Sequence, residues 1–543
     1  MQTVLIKNGI IIDGSGAKPF TGHLIIKGDR IGDIIRDGRE PAADVVVEAD
    51  GRVVAPGFID MHSHADWLLP ISDHPNLLKC FVEQGITTVI GGNCGFSAAP
   101  ASPRSAGLIN SSPAGPLLAE PLTCSWRGVS DFFSHLETIR PLVNLAHLAG
   151  HATLKMVAAD DFRGELTPAD RTRCLNLFRQ SVEEGARGLS FGLGYDPGMF
   201  APLHEIRDFC AAAAEVHVPV TVHMKALSWL SPTYPVATFQ AHNLKAIDEI
   251  IGIARDTGVT LQLSHFIFVG RRSWSTAERA IAMVESARKD GVDVKVDAFP
   301  YTCGNTTINA VLPYWFLARL PGAYNQKGLI ARLQVELELG FRLLGFMYSD
   351  FQVMTAGYDG GEDIEGLNIQ QIARKWGLSP FHALLKLSKI SNGAALMLFH
   401  TYSGEPGCEQ ALESVLSWNQ CLFETDALVK RSGYPNPAAL GTFPKILGQF
   451  VRKRKRFSLE NAVHRMTAAS AERFGLTDRG LLAAGKAADI VIFNPNTIDE
   501  TPAHGSTPAA SPRGIDAVFI NGVQVVRGGR YIPETRTGRI LRR

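Results

Sequence analysis

Apolar and polar residues alternate over short runs at the start of the chain: Val4 to Ile12, His23 to Lys27, Ile31 to Ile35 and Val45 to Glu48. Gly14-Ser15-Gly16 and further Gly, Asp and Pro residues punctuate them, which predicts short strands joined by turns. From about residue 56 the pattern changes. β-Branched or aliphatic runs such as Ile86 to Ile90, Val218 to Val222, Val259 to Leu263 and Val292 to Val296 alternate with amphipathic stretches such as Ala169 to Glu184 and Ala277 to Lys289. Strands alternating with helices predict repeated βα units and a parallel sheet. Strand-and-turn character returns after about residue 480, in Ala488 to Phe493, Ala517 to Ile520 and Val523 to Val526, with Asn521-Gly522 as a hairpin turn. The two β-rich ends are expected to pair into one small β-domain, residues 1–55 with 480–543, around an α/β middle of residues 56–479.

Three stretches depart from that rhythm. Residues 97–121, rich in Ser, Ala, Pro and Gly, read as a long surface loop or lid. Residues of about 310–400 carry helical periodicity and read as an insertion. The run Val451-Arg452-Lys453-Arg454-Lys455-Arg456 reads as a solvated helix end, with an anion site as the lesser option.

Composition narrows the class. A chain of 543 residues is several times the length of a small module and can bury a large core without covalent staples. With 54 Lys and Arg against 53 Asp and Glu, nothing points to a nucleic-acid or anionic-membrane partner. The 8 cysteines include no CxxC pair and no regular spacing, so neither a zinc ribbon nor a disulfide framework is expected. The start of the chain lacks a basic segment followed by an apolar run, and no apolar stretch is long enough to span a bilayer. These features describe a cytoplasmic globular protein acting on a small molecule, and they are compatible with a homo-oligomer.

The chemistry begins at Pro56-Gly57-Phe58-Ile59-Asp60-Met61-His62-Ser63-His64, where an apolar strand leads into His-x-His. Alternation along a strand would put both imidazoles on one face, where neutral ring nitrogens can share a metal ion. Further ligand types close later strands: Cys94 after Thr87 to Asn93, His223 after Val220 to Val222, His265 after Leu261 to Ser264, and Asp426 after Cys421 to Thr425. Read singly, each has an ordinary explanation, as a small buried hydrophobe, a hydrogen-bonded structural histidine or a helix cap. In a (β/α)₈ barrel, however, all these strand ends converge on one mouth, where active sites are built.

At this point the chain resembles the amidohydrolase superfamily, and within it the D-aminoacylase, or N-acyl-D-amino-acid deacylase, family. The resemblance rests on the His62–His64 segment, Gly91-Gly92-Asn93-Cys94-Gly95, Gly188 to Gly198, Gly441 to Gly448, Met466 to Pro495 and Gly538 to Arg543. It implies a zinc-dependent hydrolase of linear amides, with a (β/α)₈ barrel, a small β-sandwich from both termini and an inserted segment. It further implies that Cys94, His223 and His265 hold one tightly bound zinc, while His62, His64 and Asp426 complete a second, weaker or vacant position. Asp426 would then serve as general base and acid.

The match breaks where substrate would be read. The family follows its strand-end His with a second His and a Lys; here Phe266 and Ile267 follow His265. Its Gly-His-Pro-Arg stretch corresponds to Gly433-Tyr434-Pro435-Asn436. Two cationic groups suited to a carboxylate are therefore replaced. A more apolar substrate, with Phe266, Ile267 and Tyr301 lining its pocket, is one expectation. Replacement of the lost charge by Lys225, or by an Arg of the insertion, is the other. Tyr301, Ser190 and Tyr195 complete the candidate substrate-binding residues. Cyclic-amide hydrolysis or deamination, and a catalytically silent barrel scaffold, are the competing readings.

Overall fold

The computed structural model describes residues 2–36, 38–112, 115–235, 238–503 and 507–543. Among the described residues, nine short strands make up two all-parallel sets: β1 (Phe58–Asp60), β2 (Ile86–Gly91), β3 (Asn144–His147), β4 (Ala149–Gly150), β5 (Leu189–Gly192), β6 (Val220–His223), β7 (Leu261–Leu263), β8 (Val294–Ala298) and β9 (Cys421–Phe423). They hydrogen-bond in two sets, β1-β2-β3 and β4-β5-β6-β7-β8-β9. Every pairing within the sets is parallel. β3 and β4 are separated by one residue, so one segment of chain links the two sets. At the far edges, just beyond the ends of β9 and β1, Asp426 N donates to the His62 carbonyl at 3.1 Å.

Ile59, Met61, Ile90, Ala146, Leu148 and Leu422, on or beside β1, β2, β3 and β9, share one buried cluster with Phe474, Leu476 and Leu541. A far larger apolar layer packs the other strand faces against the helices. Phe58 belongs to that layer, its ring stacked on Phe443 at 5.3 Å between centroids. Truncation of Phe58 to alanine is expected to cost about 3–5 kcal/mol in a urea-unfolding measurement.

The ends of the chain do pair. Among the described residues, strands Thr3–Ile11, Phe20–Lys27, Arg30–Ile35, Val45–Glu48 and Val53–Pro56 share one nine-stranded sheet with Ile490–Phe493, Ile515–Ile520, Val523–Arg527 and Arg530–Tyr531. The seam runs between Val53–Pro56 and Ile490–Phe493. Val4, Ile6, Leu24 and Ile26 face a core with Ile490, Ile492 and Phe519, while Leu5, Ile25 and Ile35 pack on the opposite face. Period-two alternation in strands with both faces covered explains why these runs read clearly in sequence.

Two of the irregular stretches look different in three dimensions. Residues 97–121 are not a surface loop throughout. Ser97, Ala98 and Ala99 are fully buried, and helix Pro103–Ser111 follows, capped reciprocally by Ser102 and Ser105. The Ser, Ala and Pro content that reads as loop reflects tight packing and a helix start. Residues 310–400 include, beside helices Lys327–Leu344, Ile369–Trp376 and Pro380–Ile390, two strands. These are Phe351–Thr355 and Leu396–His400, which form an antiparallel sheet with Cys303–Thr307.

The basic run 451–456 is paired rather than merely solvated. Arg452 and Lys453 meet Asp499, and Arg454 and Arg456 meet Glu413.

One buried histidine ties the first helix to β3. His74, at the start of helix His74–Val82, donates through Nδ1 to the Ile71 carbonyl (2.8 Å) and accepts the Leu142 amide at Nε2 (3.2 Å). Accepting the Leu142 amide requires the neutral ring, because Nε2 must keep its lone pair. Burial holds its pKa down at about 4, from an ordinary 6.5, with Arg536 acting in the same sense and the Ile71 hydrogen bond and Asp73 against it. The folded value lies below the unfolded one, so the unfolded chain takes up the proton first. This contribution is complete above pH 6.5 and is lost as pH falls towards 4. Urea unfolding at pH 7 and pH 4.5 should show a loss about 2–3 kcal/mol smaller in His74→Gln than in the parent. An equal loss in both proteins would refute it.

Candidate metal centre

The six metal-type side chains come from five strand ends. His62 and His64 lie on the turn after β1, which ends two residues before His62, so the strand itself does not present them. Cys94 follows β2, His223 is the last residue of β6, His265 follows β7 and Asp426 follows β9. Cys94 (φ 57°), His265 (φ 31°) and Asp426 (φ 43°) all adopt positive φ. Non-glycine residues seldom occupy this region, and each costs of order 1–3 kcal/mol unless its surroundings enforce it.

The surroundings do enforce it. At the Cys94 turn, Ser190 Oγ donates to the Gly92 carbonyl (2.5 Å) and accepts from Gly95 N (3.0 Å). Tyr195 Oη donates to the Cys94 carbonyl (2.7 Å), and Thr221 Oγ1 donates to Asn93 Oδ1 (3.1 Å). Gly92 has φ +82°, and a Cβ there would lie 2.1 Å from the Leu148 carbonyl oxygen. Gly92→Ala is therefore expected to destabilise the fold by more than about 2 kcal/mol. It should weaken metal retention with it, both measurable by thermal melting with and without chelator.

At the other two ligands, Asp297 Oδ1 accepts the His265 amide (2.7 Å) while its Oδ2 accepts from Gln262 (2.7 Å). Asp60 accepts Thr425 N and Oγ1 (2.9 and 2.6 Å), and Asn305 Nδ2 donates to the Asp426 carbonyl (2.9 Å).

Two overlapping ligand groups result, each with its donor atoms within 4.8 Å of one another: Cys94, His223 and His265; and His62, His64, Cys94 and Asp426. Cys94 Sγ stands 3.3 Å from His62 Nε2, 3.6 Å from His265 Nε2 and 3.9 Å from His223 Nδ1. Zinc held at about 2.3 Å by sulfur and about 2.0–2.1 Å by nitrogen separates neighbouring ligands by roughly 3.3–3.6 Å, close to the sulfur–nitrogen edges here. The His223–His265 edge, at 2.8 Å, is shorter. Asp426 Oδ1 is 3.2 Å from His64 Nε2 and 3.6 Å from His62 Nε2.

The charges suit the same purpose. Burial alone would raise the Cys94 thiol, but the facing His62 and hydrogen bonds from His223, His265 and His62 bring it well below its ordinary value. Burial likewise opposes ionisation of Asp426, yet the His64 hydrogen bond and the His62 and His265 charges keep its carboxyl low. Burial, then the charge of His265, lowers His223. A thiolate, imidazoles and one carboxylate, preformed at strand ends, make a donor set that fits zinc. His64, His223 and Asp426 are the partly exposed members; His62, Cys94 and His265 are buried.

The candidate substrate residues are placed differently. Ser190 and Tyr195 hold the Cys94 turn, and the Tyr195 ring meets His223 edge-on at 4.7 Å, so they position a ligand. Phe266 does not line an opening: its fully buried ring packs on Phe268 and Trp418. Ile267 is buried too, its amide bonded to the His265 carbonyl. The Tyr301 ring lies under Lys445 Nζ at 4.0 Å, with Glu500 beside it. Lys225 Nζ is 5.2 Å from the Tyr234 ring, and Asn436 spends its amide on Asn305 and on the Ala438 amide. Residue-by-residue sequence reading misses Asp60, Asp297 and Glu424: Asp60 and Glu424 each stand two residues before a ligand, and Asp297 lies on β8, which carries none.

Residues 45–312 and 428–531 match the profile of the Amidohydrolase family. The chain belongs to that family. His62, His64, Cys94, His223 and His265 fall within the matched spans, and Asp426 stands two residues before the second. Over 99% of its length this amidohydrolase is 30% identical to N-acyl-D-glutamate deacylase of Alcaligenes xylosoxydans xylosoxydans, covering 96% of that protein. Among solved structures it is similar to N-acyl-D-glutamate deacylase from Bordetella bronchiseptica, complexed with zinc and a phosphonate mimic of the tetrahedral intermediate. That match has TM-score 0.81 and 28% identity, and covers 100% of both chains. It is also similar to D-aminoacylase (TM-score 0.79, 26% identity, 100% of both chains), described with a binuclear metal centre, one-metal activation and second-metal attenuation. No helix among the described residues is long and apolar enough to cross a membrane.

Proposed function

We propose that this amidohydrolase cleaves the linear amide of an N-acyl amino acid or related N-acyl amine, with zinc held by Cys94, His223 and His265. The convergence of six ligand side chains from five strand ends carries the reading. Full-length similarity to deacylases, one of them solved with zinc and an intermediate mimic, supports it. His62, His64 and Asp426 offer a second position that shares Cys94. The nine parallel strands read as one (β/α)₈ barrel in which β3 and β4 act as a single strand, with the paired termini as a separate β-domain.

Bound zinc would make a contacting water more acidic and polarise the scissile carbonyl. The protein's own groups do the rest. Asp426, low in pKa and partly exposed beside His64, takes the proton of the attacking water and returns it to the leaving nitrogen. His64 orients that carboxylate, and Asn305 anchors its backbone.

Neither Ile267 nor Asn436 presents a cation, and Lys225 is turned to Tyr234, which supports a neutral amine part. The test uses zinc-loaded protein with N-acetyl-D- and L-amino acids, their amides, and hydantoins. Release of acetate from the linear compounds is expected, with the amides cleaved at least as well as the acids. Ring opening of hydantoins alone would sink the linear-amide reading. A strong preference for the free acid would sink the neutral-pocket part.

A further inference from the structure

On the Nδ1 side of His62 lies a buried group of carboxyls. His62 Nδ1 is 3.5 Å from Glu424 Oε2 and 3.8 Å from Asp297 Oδ1, and all three side chains are 1% exposed or less. Asp297 already accepts from His265 N and Gln262, and Asp60 nearby accepts twice from Thr425. Glu424 is the exception. Both of its carboxyl oxygens are buried without a hydrogen-bond partner, and so is His62 Nδ1. Three buried polar atoms without partners are costly unless they serve each other.

The other nitrogen of the same ring, Nε2, faces Cys94 at 3.3 Å and Asp426 at 3.6 Å. An imidazole can offer a lone pair at Nε2 only when its proton sits on Nδ1, and that proton needs an acceptor. We propose that Glu424 is that acceptor. It is a positioning residue that fixes the tautomer and orientation of His62, and with them the His62, His64, Cys94 and Asp426 metal position. Because Glu424 lies two residues before Asp426 on the same strand extension, one segment supplies both a ligand and the support of a facing ligand. An acceptor oxygen in this relation to a ligating histidine fixes its tautomer and orientation, and loss of such a partner typically weakens metal affinity 10–100-fold.

The inference rests on the metal reading proposed above, and the experiment separates the two. Cobalt(II) is titrated into metal-free parent, Glu424→Gln and Glu424→Met proteins, following the visible spectrum and the bound equivalents after dialysis. Glu424→Gln keeps an acceptor oxygen at the same reach; Glu424→Met keeps the volume but no acceptor. The expected result is a first equivalent unchanged in all three, and a second equivalent weakened about 10–100-fold in Glu424→Met but largely retained in Glu424→Gln. A role in filling space alone would leave Glu424→Met like the parent, and that result overturns the proposal. Equal weakening in Glu424→Gln and Glu424→Met overturns it as well. So does a third bound equivalent in the parent that either variant loses, since His62, Asp297 and Glu424 would then be holding a cation themselves. A parent protein that binds no cobalt would instead refute the metal reading. Should Glu424→Met fail to fold, ¹⁵N-histidine spectra of cobalt-free, zinc-loaded parent and Glu424→Gln decide. The His62 Nδ1–H resonance is expected to shift between the two, and an unshifted resonance overturns the proposal.

Discussion

Replacement of Cys94 by alanine is expected to remove metal and turnover together. Cys94 is the one residue common to both ligand groups, and the only sulfur in either. The histidines that face it bring its thiol well below its ordinary value, the direction that favours the thiolate a metal needs. Losing it leaves His223 and His265 alone at one position and three ligands without a shared anion at the other. Loss of an outer-shell group costs 10–100-fold in affinity, and loss of this ligand should exceed about 100-fold. Metal analysis of the dialysed variant should find its zinc content collapsed, and activity should fall in proportion. The backbone at residue 94 keeps its Tyr195 and Gly95 contacts, so the melting temperature of the metal-free variant should match that of metal-free parent. Zinc retained at parental affinity would remove Cys94 from the site.

Asp426→Asn is expected to separate chemistry from binding. The change preserves shape and the Asn305 contact to its backbone carbonyl but removes the proton acceptor beside His64. The Cys94, His223 and His265 position does not include Asp426, so one zinc should remain bound. General acid–base groups contribute typically 10²–10⁴-fold, and a group that both takes and returns the proton should lie at or above about 10³-fold in kcat, with KM little changed. Steady-state kinetics beside zinc analysis checks both halves. Near-parental turnover would exclude Asp426 as the base, and loss of the first zinc would mean that the two positions are not independent.

How far the site was legible depended on what each residue contributes. His62, His64, Cys94, His223, His265 and Asp426 could be picked out because a ligand must be His, Cys or Asp and must follow an apolar strand, two conditions visible along the chain. Ser190 and Tyr195 were legible as part of the site but not in their role. Whether a hydroxyl faces substrate or the Gly92 and Cys94 carbonyls depends on a loop that arrives from about a hundred residues away. Phe266 follows a ligand directly, yet its ring packs on Phe268 and Trp418, a contact set by the fold and not by adjacency in the chain. Glu424 had no signature, since a buried carboxyl has the same letter as an exposed one.

The paired termini follow the same logic. Alternation in Thr3–Ile11 and the Asn521-Gly522 turn declare strands locally, and nothing local says that Val53–Pro56 pairs with Ile490–Phe493. Residues 97–101 mislead in the opposite sense. Small residues serve a tightly packed buried turn as well as they serve a loop, and composition does not tell the two apart.

By itself the sequence determined the strand and helix periods and the inventory of metal-ligating side chains at strand ends. These are properties of neighbours in the chain, set by backbone geometry and side-chain chemistry. Only the tertiary structure decided which of them meet. It placed Cys94 between two ligand groups, turned three ligands into left-handed backbone, closed Asp297 and Asp60 with hydrogen bonds and left Glu424 open beside His62. The physical reason is that proximity and burial depend on long-range closure, and in this protein the electrostatics of the site depend on both.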